Sequence, residues 1–306
     1  MYDQLLNLMG TMFLMCMVGL VLQKLGIVSI EGKKTLVALL INLILPCNII
    51  KAFCMEITTR ELKEMAMVLV ISLGIQLFYV VLTQTLYGGF KDGEKQVYQY
   101  ATLCSNAGFL GNPLSQGVFG DLGLLYTSVF LIPQRVAMWT AGVSYFTKTS
   151  SPLDALKKVL LHPCIVAIGI GLAVMLTGWK MPGVLDSTVT GFSSCCTGMT
   201  MLYVGTVLGD VDFRSLFSKK QFFFASLRLG IIPAIIYGAC MLLNMEPLVT
   251  GVCVLMAAMP AGNTTVILAA RYDGDQETAA KCVVLTTALS LLTTPLWSIL
   301  LTAPLM

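Results

Sequence analysis

Residues 104–113 read CSNAGFLGNP and residues 259–265 read MPAGNTT, and each stretch interrupts a long apolar run. Proline removes one helical hydrogen bond and clashes with the preceding turn, whereas glycine permits backbone conformations that other residues resist. The two stretches therefore predict helices that break near their centres, at Pro113 and at Pro260. In hydrocarbon an unsatisfied backbone group costs several kcal/mol, so a broken helix persists only where it is buried in protein or lines a watery cavity.

The rest of the chain is strongly apolar. Of 306 residues 57% are hydrophobic and 11% are charged, whereas a soluble domain carries about 25% charged residues. The mean hydropathy is +0.84, and the apolar runs of about twenty residues match a hydrocarbon core of about 30 Å. The sequence predicts an all-α membrane protein with ten transmembrane spans. They lie near residues 5–25, 35–54, 64–87, 97–119, 122–146, 159–179, 185–208, 221–243, 248–270 and 280–303.

The two halves of the chain share a pattern. Each has an interrupted fourth span and a proline inside its fifth span, Pro133 and Pro295. Because five is odd, the second half must enter the membrane from the opposite side, which predicts an inverted repeat. Transporters with such repeats bind their substrates near the midplane, where interrupted helices meet. Within one membrane domain of residues 1–306, the repeats are placed at residues 1–147 and 148–306.

The composition of the interruptions favours a polar ligand. One interruption alone would be explained more simply as a proline kink capped by nearby side chains. Two Asn/Gly/Pro interruptions at matching places in the two halves favour a binding site instead. The N-terminal ends of half-helices carry partial positive charge, which suits an anion.

Basic residues in the loops predict the orientation, because Lys and Arg are retained on the cytoplasmic side. The loops after the odd-numbered spans hold thirteen of them and the opposite side holds four, which places both termini on the non-cytoplasmic side of the cell membrane. The net charge of +3 is therefore topological and gives no indication of nucleic-acid binding. The thirteen are Lys24, Lys33, Lys34, Lys91, Lys95, Lys148, Lys157, Lys158, Arg214, Lys219, Lys220, Arg271 and Lys281, and the four are Lys51, Arg60, Lys63 and Lys180.

Two arginines lie within predicted spans. Arg135 is about 16–20 Å from either end of its span at 1.5 Å per residue, too deep for its side chain to reach water. It should therefore face a cavity, backbone carbonyls or a counter-ion. We expect it either to bind an anionic substrate or to cap carbonyls freed at the first break. Arg228 lies nearer its cytoplasmic end and is predicted to anchor the span at the interface.

The sequence gives little support for a metal site, a disulfide framework or a catalytic site. The ten cysteines form no CxxC pair, and the one histidine, His162, precedes Pro163 at a helix entrance. Free cysteine inside a span behaves as a small hydrophobe. We expect no metal, no cofactor and no catalytic residue, so an enzyme is disfavoured. A channel with the same fold remains an alternative, separable by transport rate and counterflow.

Three groups of residues match the pattern of a known family: Leu45-Pro46-Cys47 in the second span, residues 105–114 (SNAGFLGNPL) in the fourth, and residues 259–264 (MPAGNT) with 269–272 (AARY) in the ninth. In these motifs and their order the chain resembles the auxin efflux carrier family, which includes plant auxin carriers and bacterial permeases for malate, malonate and similar acids. The resemblance covers nearly the whole chain.

The resemblance implies a scaffold domain and a transport domain that move like an elevator, with helices 4 and 9 crossing at their broken centres as in bile-acid sodium symporters. Spans 1, 2, 6 and 7 would form the scaffold and a homodimer contact, and spans 3–5 and 8–10 would carry the substrate. The expected partners are a small mono- or dicarboxylate and the lipid bilayer. The substrate-binding candidates are Asn106, Asn112, Pro113, Gln134, Arg135, Pro260, Asn263 and Thr264, with Ser105, Pro46 and Asn48 as secondary candidates.

Coupling stays open at this stage. No carboxylate lies at mid-membrane depth in the predicted spans, which weakens a proton-relay scheme. Sodium could be held by carbonyls together with Thr264, Thr265 and Gln134, so uniport, proton coupling and sodium coupling are all retained. The alternative function is a sodium-coupled carrier of the bile-acid type. Such carriers are expected to have a carboxylate on the second broken helix, where this chain has Ala261 and Gly262.

Overall fold

A computed structural model describes residues 2–55, 57–147, 152–209, 218–272 and 274–302. Most of these residues are helical, and within them the one extended pairing is an isolated antiparallel bridge between Ser105 and Ala261. The predicted all-α class is therefore confirmed for the described part of the chain. The boundary predicted between the repeats, and the loop residues Lys148 and Arg214, lie outside it.

The longest helical stretch, Ala107–Phe146, is interrupted at Gly120, whose backbone is non-helical with φ 71° and ψ −161°. Glycine accepts this conformation because it has no Cβ. Gly120 therefore divides the helix into two arms, α5 (residues 107–119) and α6 (residues 121–146). The other helices are α1 Tyr2–Lys24, α2 Ile30–Phe53, α3 Thr59–Leu86, α4 Asp92–Leu103, α7 Pro152–Leu160, α8 Pro163–Thr177, α9 Gly183–Ser194, α10 Cys196–Gly209, α11 Lys219–Leu242, α12 Pro247–Ala257, α13 Thr264–Arg271 and α14 Gln276–Thr302.

The long apolar helices indicate a multi-pass membrane protein. In the described part of the chain five are long and apolar enough to cross a bilayer, and shorter apolar helices add to them. Ten spans stay a prediction, because the fourth, seventh and ninth predicted spans each consist of two shorter helices. The five long helices are Ile30–Phe53, Thr59–Leu86, Ala107–Phe146, Lys219–Leu242 and Gln276–Thr302, and the shorter ones are Gly10–Lys24, Pro163–Thr177 and Pro247–Ala257.

Both predicted interruptions exist, but one is displaced. α12 ends at Ala257 and α13 begins at Thr264, so the second break surrounds Pro260 as predicted. The first break lies between Leu103 and Ala107, and the prediction that it centres on Pro113 is wrong. Pro113 stands in the first turn of a regular helical segment, where its missing N–H is tolerated.

A widened turn explains how proline fits there. Pro46, Pro113 and Pro233 each lie two residues after a five-residue π-helical turn. A proline ring clashes with the carbonyl four residues earlier, and i→i+5 pairing moves that carbonyl away. The helix therefore continues through proline with a local adjustment. The three turns are Leu40–Ile44, Ala107–Gly111 and Leu227–Ile231.

The second break lies at the centre of the protein. α12 is apolar on all sides, and its residues from Val249 to Ala257 are buried all round. A helix that is hydrophobic all round belongs inside a larger protein or membrane assembly. The interrupted backbone after α12 is consequently surrounded by protein, as hydrocarbon requires.

α1 and α10 pack backbone to backbone through glycine. A Cβ added to Gly205 would lie 1.9 Å from the carbonyl oxygen of Cys16, and one on Gly19 would lie 2.1 Å from the carbonyl oxygen of Leu202. Small residues permit such close approach between membrane helices. The absence of a side chain at Gly205 therefore sets the separation of this pair.

We expect Gly205→Ala to lower the midpoint of thermal unfolding by at least about 5 °C, because the added methyl group meets backbone that cannot move aside. The matched control is Gly198→Ala on the same helix, where no atom lies within 4 Å of the added Cβ. Purified protein in detergent serves for both. Equal midpoints for the two variants would contradict the packing described.

Candidate functional site

The two breaks lie against each other and share backbone hydrogen bonds. The N–H of Asn106 donates to the carbonyl of Pro260 at 2.8 Å, and the N–H of Gly262 donates to the carbonyl of Cys104 at 2.9 Å. This short antiparallel pairing satisfies groups that a continuous helix would have paired internally. Each break therefore supplies part of the hydrogen bonding that the other lacks.

The approach is close enough that glycine is favoured at one position. A Cβ on Gly262 would lie 3.0 Å from the carbonyl oxygen of Cys104 and 3.2 Å from that of Ser105. Next to it, the N–H of Ala261 donates to Oγ1 of Thr286 at 3.1 Å. The second break is thus held by α4 on one side and by α14 on the other.

Gln134 on α6 completes the first break. Its Nε2 donates to the carbonyl of Ser105 at 2.8 Å, and its Oε1 accepts from the Ser105 hydroxyl at 3.0 Å. Both residues are buried. Gln134 therefore acts as a partner for interrupted backbone, a role that the sequence pattern did not indicate.

Arg228 does not lie at the interface, so the prediction of an interfacial anchor is wrong. Its side chain is 0% exposed. Nε donates to the carbonyl of Met259 at 3.0 Å, and Nη1 donates to the carbonyl of Thr102 at 3.1 Å. Arg228 therefore caps carbonyls at both breaks, which is the structural role that the sequence offered as one alternative for Arg135.

A cavity of about 80 Å³ opens beside the breaks. Most of the predicted site residues line it, and it also contains residues that the sequence did not single out. The predicted ones are Ser105, Asn106, Gln134, Arg135, Asn263 and Thr264, and the others include Ile41, Leu45, Gly108, Phe109, Leu131, Met138, His162, Cys164 and Gly262.

The remaining candidates are not among the lining residues. Pro260 lies in the second break, where its carbonyl pairs with Asn106. Asn112 is buried, and its side-chain nitrogen and oxygen find no hydrogen-bond partner within the described ranges. Asn48 donates to Oγ of Ser193 at 3.1 Å and to Oε1 of Gln116 at 3.2 Å. The last two candidates, Pro46 and Pro113, follow π turns on α2 and α5.

Arg135 enters the cavity beside a histidine. Its Nη1 lies 3.0 Å from Nε2 of His162, and the Cys164 N–H donates to Nδ1 of the same ring at 3.2 Å. A neutral imidazole has one acceptor nitrogen, and the Cys164 bond makes that nitrogen Nδ1, so Arg135 can donate only to Nδ1, 3.4 Å from its Nη1, and not to the protonated Nε2. His162 caps the N-terminus of α8, as its position at a helix entrance predicted. Its place in the cavity had no signal in the sequence.

Three polar groups around the cavity are donors without acceptors. Nδ2 of Asn106, Nδ2 of Asn263 and Nε of Arg135 are inaccessible to solvent and have no hydrogen-bond partner among the residues that the structure describes. Asn106 and Asn263 are also the N-cap residues before Ala107 and Thr264, and neither makes a side-chain cap. Helix N-termini carry partial positive charge. The cavity lining therefore carries positive charge, and three of its side chains hold N–H groups that no described residue pairs.

The chain is similar to known membrane transport proteins. A family model described as membrane transport protein matches residues 5–157 and 151–298. The chain is 26% identical over 304 residues to an uncharacterized transporter of Methanothermobacter thermautotrophicus, covering 95% of this chain and 96% of that one. It is 23% identical over 293 residues to an uncharacterized transporter of Methanocaldococcus jannaschii, covering 93% and 94%. With the uncharacterized transporter YfdV of Escherichia coli K12 it shares 24% identity over 220 residues, 66% of this chain and 69% of that one.

The helical fold and these similarities define a membrane transporter. The chain belongs to the membrane transport protein family of auxin efflux carriers, and the resemblance noted in its sequence is confirmed.

The link between Ser105 and Gln134 yields a test of the first break. We expect Ser105→Ala and Gln134→Met to destabilise the protein non-additively, with a coupling energy of about 0.6–1.7 kcal/mol, since each removes the same buried hydrogen bond. Unfolding free energies of the two single variants and the double variant give this value. Strict additivity would show that the two side chains do not act on each other.

Proposed function

We propose that this transporter moves a small organic anion, a mono- or dicarboxylate, across the cytoplasmic membrane by an elevator-type alternating-access mechanism. Family membership supplies the transport activity. The three unpaired donors of Asn106, Asn263 and Arg135 carry the assignment of an anion. A buried donor without an acceptor is costly, and a carboxylate would accept from all three.

Charge around the cavity supports the same assignment. Its lining includes the guanidinium of Arg135 and contains no Asp or Glu. Arginine also matches the planar geometry of a carboxylate with paired N–H groups. Apolar side chains such as Leu45 and Leu131 complete the wall, so the site suits a compact anion with a short carbon skeleton.

Most of the side-chain hydrogen bonds between predicted spans stay within one of two groups of helices, and Asn48 to Gln116 and Arg135 to His162 cross between the groups; this pattern supports two bodies that move against each other. Within the predicted scaffold, Lys51 of α2 pairs with Asp186 of α9 at 2.8 Å. Within the predicted transport domain, Tyr126 of α6 donates to Glu64 of α3 at 2.8 Å, and Trp297 of α14 donates to the Leu229 carbonyl at 2.8 Å. These contacts tie each group of helices together internally.

The cavity lies where the two groups meet. Ile41 and His162 belong to predicted scaffold spans, whereas Asn106, Arg135 and Asn263 belong to predicted transport spans. A substrate held by the second set would leave the scaffold wall when the transport domain shifts. The ten spans in two inverted repeats, the crossing of helices 4 and 9, both termini outside, and a homodimer through spans 1, 2, 6 and 7 remain parts of this proposal.

Uptake by proteoliposomes tests the site. We expect Asn263→Ala and Arg135→Ala to reduce uptake of labelled mono- or dicarboxylates at least about tenfold, since each removes a donor worth more than about 1.4 kcal/mol to the bound anion. Asn42→Ala is the matched control, because Asn42 is exposed and bonds only within its own helix, to the Ala38 carbonyl. Normal uptake by both site variants would refute the assignment.

A thermal-shift screen of carboxylates on purified protein identifies the substrate class. We expect the true substrate to raise the unfolding midpoint of the wild-type chain and to leave that of Arg135→Ala unchanged, since a ligand stabilises only the state that binds it. Comparison of uptake with and without a sodium gradient then separates this reading from a sodium-coupled bile-acid-type carrier. Stabilisation by organic cations in place of carboxylates would contradict an anion site.

A further inference from the structure

A buried arginine stands where the two breaks expose their carbonyls. Arg228 is 0% exposed, and its guanidinium bonds to the carbonyls of Met259 and Thr102 at 3.0 and 3.1 Å. The guanidinium carbon Cζ lies over the ring of Tyr79, 5.3 Å from the ring centre. Among the described residues no carboxylate pairs with it. Its remaining nitrogen, Nη2, is buried and has no hydrogen-bond partner among the described residues. The negative partners that this cation has are therefore backbone dipoles and an aromatic ring.

Those carbonyls mark the C-terminal ends of two half-helices. Thr102 lies in the last turn of α4, and Met259 follows the end of α12. Helix C-termini carry partial negative charge, and here two of them converge. In transporters with interrupted helices, unwound carbonyls and half-helix C-termini are the groups that coordinate coupling cations.

We propose that Arg228 is a built-in cation that occupies the position of a coupling ion at the paired breaks. Its guanidinium neutralises both half-helix ends permanently, so the breaks bind no Na⁺ or K⁺. One consequence rests on the proposed function, which is that the anion moves without a monovalent metal ion. Arg228 is a positioning residue, because it does not line the anion cavity.

The chemistry of the two candidate cations favours arginine at this point. A metal ion in a protein requires several oxygen ligands, whereas a guanidinium needs separate acceptors in its own plane and accepts an aromatic ring on its face. The site supplies two carbonyls at hydrogen-bond distance and the face of Tyr79.

The two deep arginines therefore have different tasks. Arg135 contacts His162 at the anion cavity. The N-termini of α5 and α13 lie beside this cavity. Arg228 lies at the opposite, C-terminal ends of α4 and α12. Each break thus has one end neutralised from within the protein and one end open to a ligand of negative charge.

Cation-dependent stability tests the proposal without any substrate. Thermal unfolding of purified Arg228→Ala is compared with wild type in choline, sodium, potassium and millimolar guanidinium chlorides at constant ionic strength. We expect the variant to unfold about 6–20 °C lower in choline, because two buried carbonyl ends lose their cation. Guanidinium should restore much of that loss, since it binds the folded state at the vacated place. Wild type should unfold at one temperature in all four salts.

Two further variants separate the charge of Arg228 from its hydrogen bonding, and one control tests a variant destabilised by packing. Arg228→Lys keeps the charge and should retain most of the stability, whereas Arg228→Gln keeps hydrogen bonding without charge and should resemble Arg228→Ala. Gly205→Ala, destabilised by packing, should gain nothing from guanidinium. Recovery confined to Arg228→Ala would support a vacated cation site.

Either of two results would overturn the proposal. One is a saturable stabilisation of wild type that is specific to sodium or potassium, because the breaks would then hold a metal ion. The other is wild-type stability of Arg228→Gln, because charge would then be unnecessary. The wild-type measurement decides even if Arg228→Ala does not fold. Since no anion is used, failure here is separate from failure of the proposed transport function.

Discussion

Every other feature of the site depends on one constraint, which is that backbone interrupted inside a membrane must still pair its polar groups. The two breaks meet this demand by bonding to each other, through Asn106 with Pro260 and Gly262 with Cys104. Such pairing requires that the half-helices meet closely, which explains the glycine at residue 262. It also fixes both breaks at one place. A chain that broke only one helix would have no such partner and would need side chains for every lost bond.

The helix ends at the two breaks differ in whether a side chain caps them, and this difference determines the charge of the site. Carbonyls at the ends of α4 and α12 are capped by Arg228, so their negative charge is balanced inside the protein. At the starts of α5 and α13 no side chain caps the backbone, and Asn106 and Asn263 keep free donors. The same two interruptions thus produce a closed face and an open face. The proposed small anion would accept hydrogen bonds at the open face.

The sequence predicted the membrane class, both interruptions, the family and six of the residues that line the cavity. It failed where the answer depended on neighbours in space. Distance along its own helix suggested an interface for Arg228, but α4 and α12 surround that side chain. Pro113 suggested the centre of a break, but a π turn accommodates the proline and the break comes earlier. His162 reaches the cavity from a separate segment, and no spacing in the sequence connects it with Arg135.

The placement of Arg135 and His162 bears on how the proposed movement would begin. Arg135 lies on a predicted transport helix and His162 on a predicted scaffold helix, and their contact of 3.0 Å crosses the boundary at the substrate cavity. A neutral imidazole is a weaker acceptor than a carboxylate, because charged hydrogen bonds are roughly twice as strong. An arriving anion would therefore take Arg135 from His162 and loosen a contact between the two bodies. Substrate binding and release of the scaffold would then be parts of one exchange of hydrogen-bond partners.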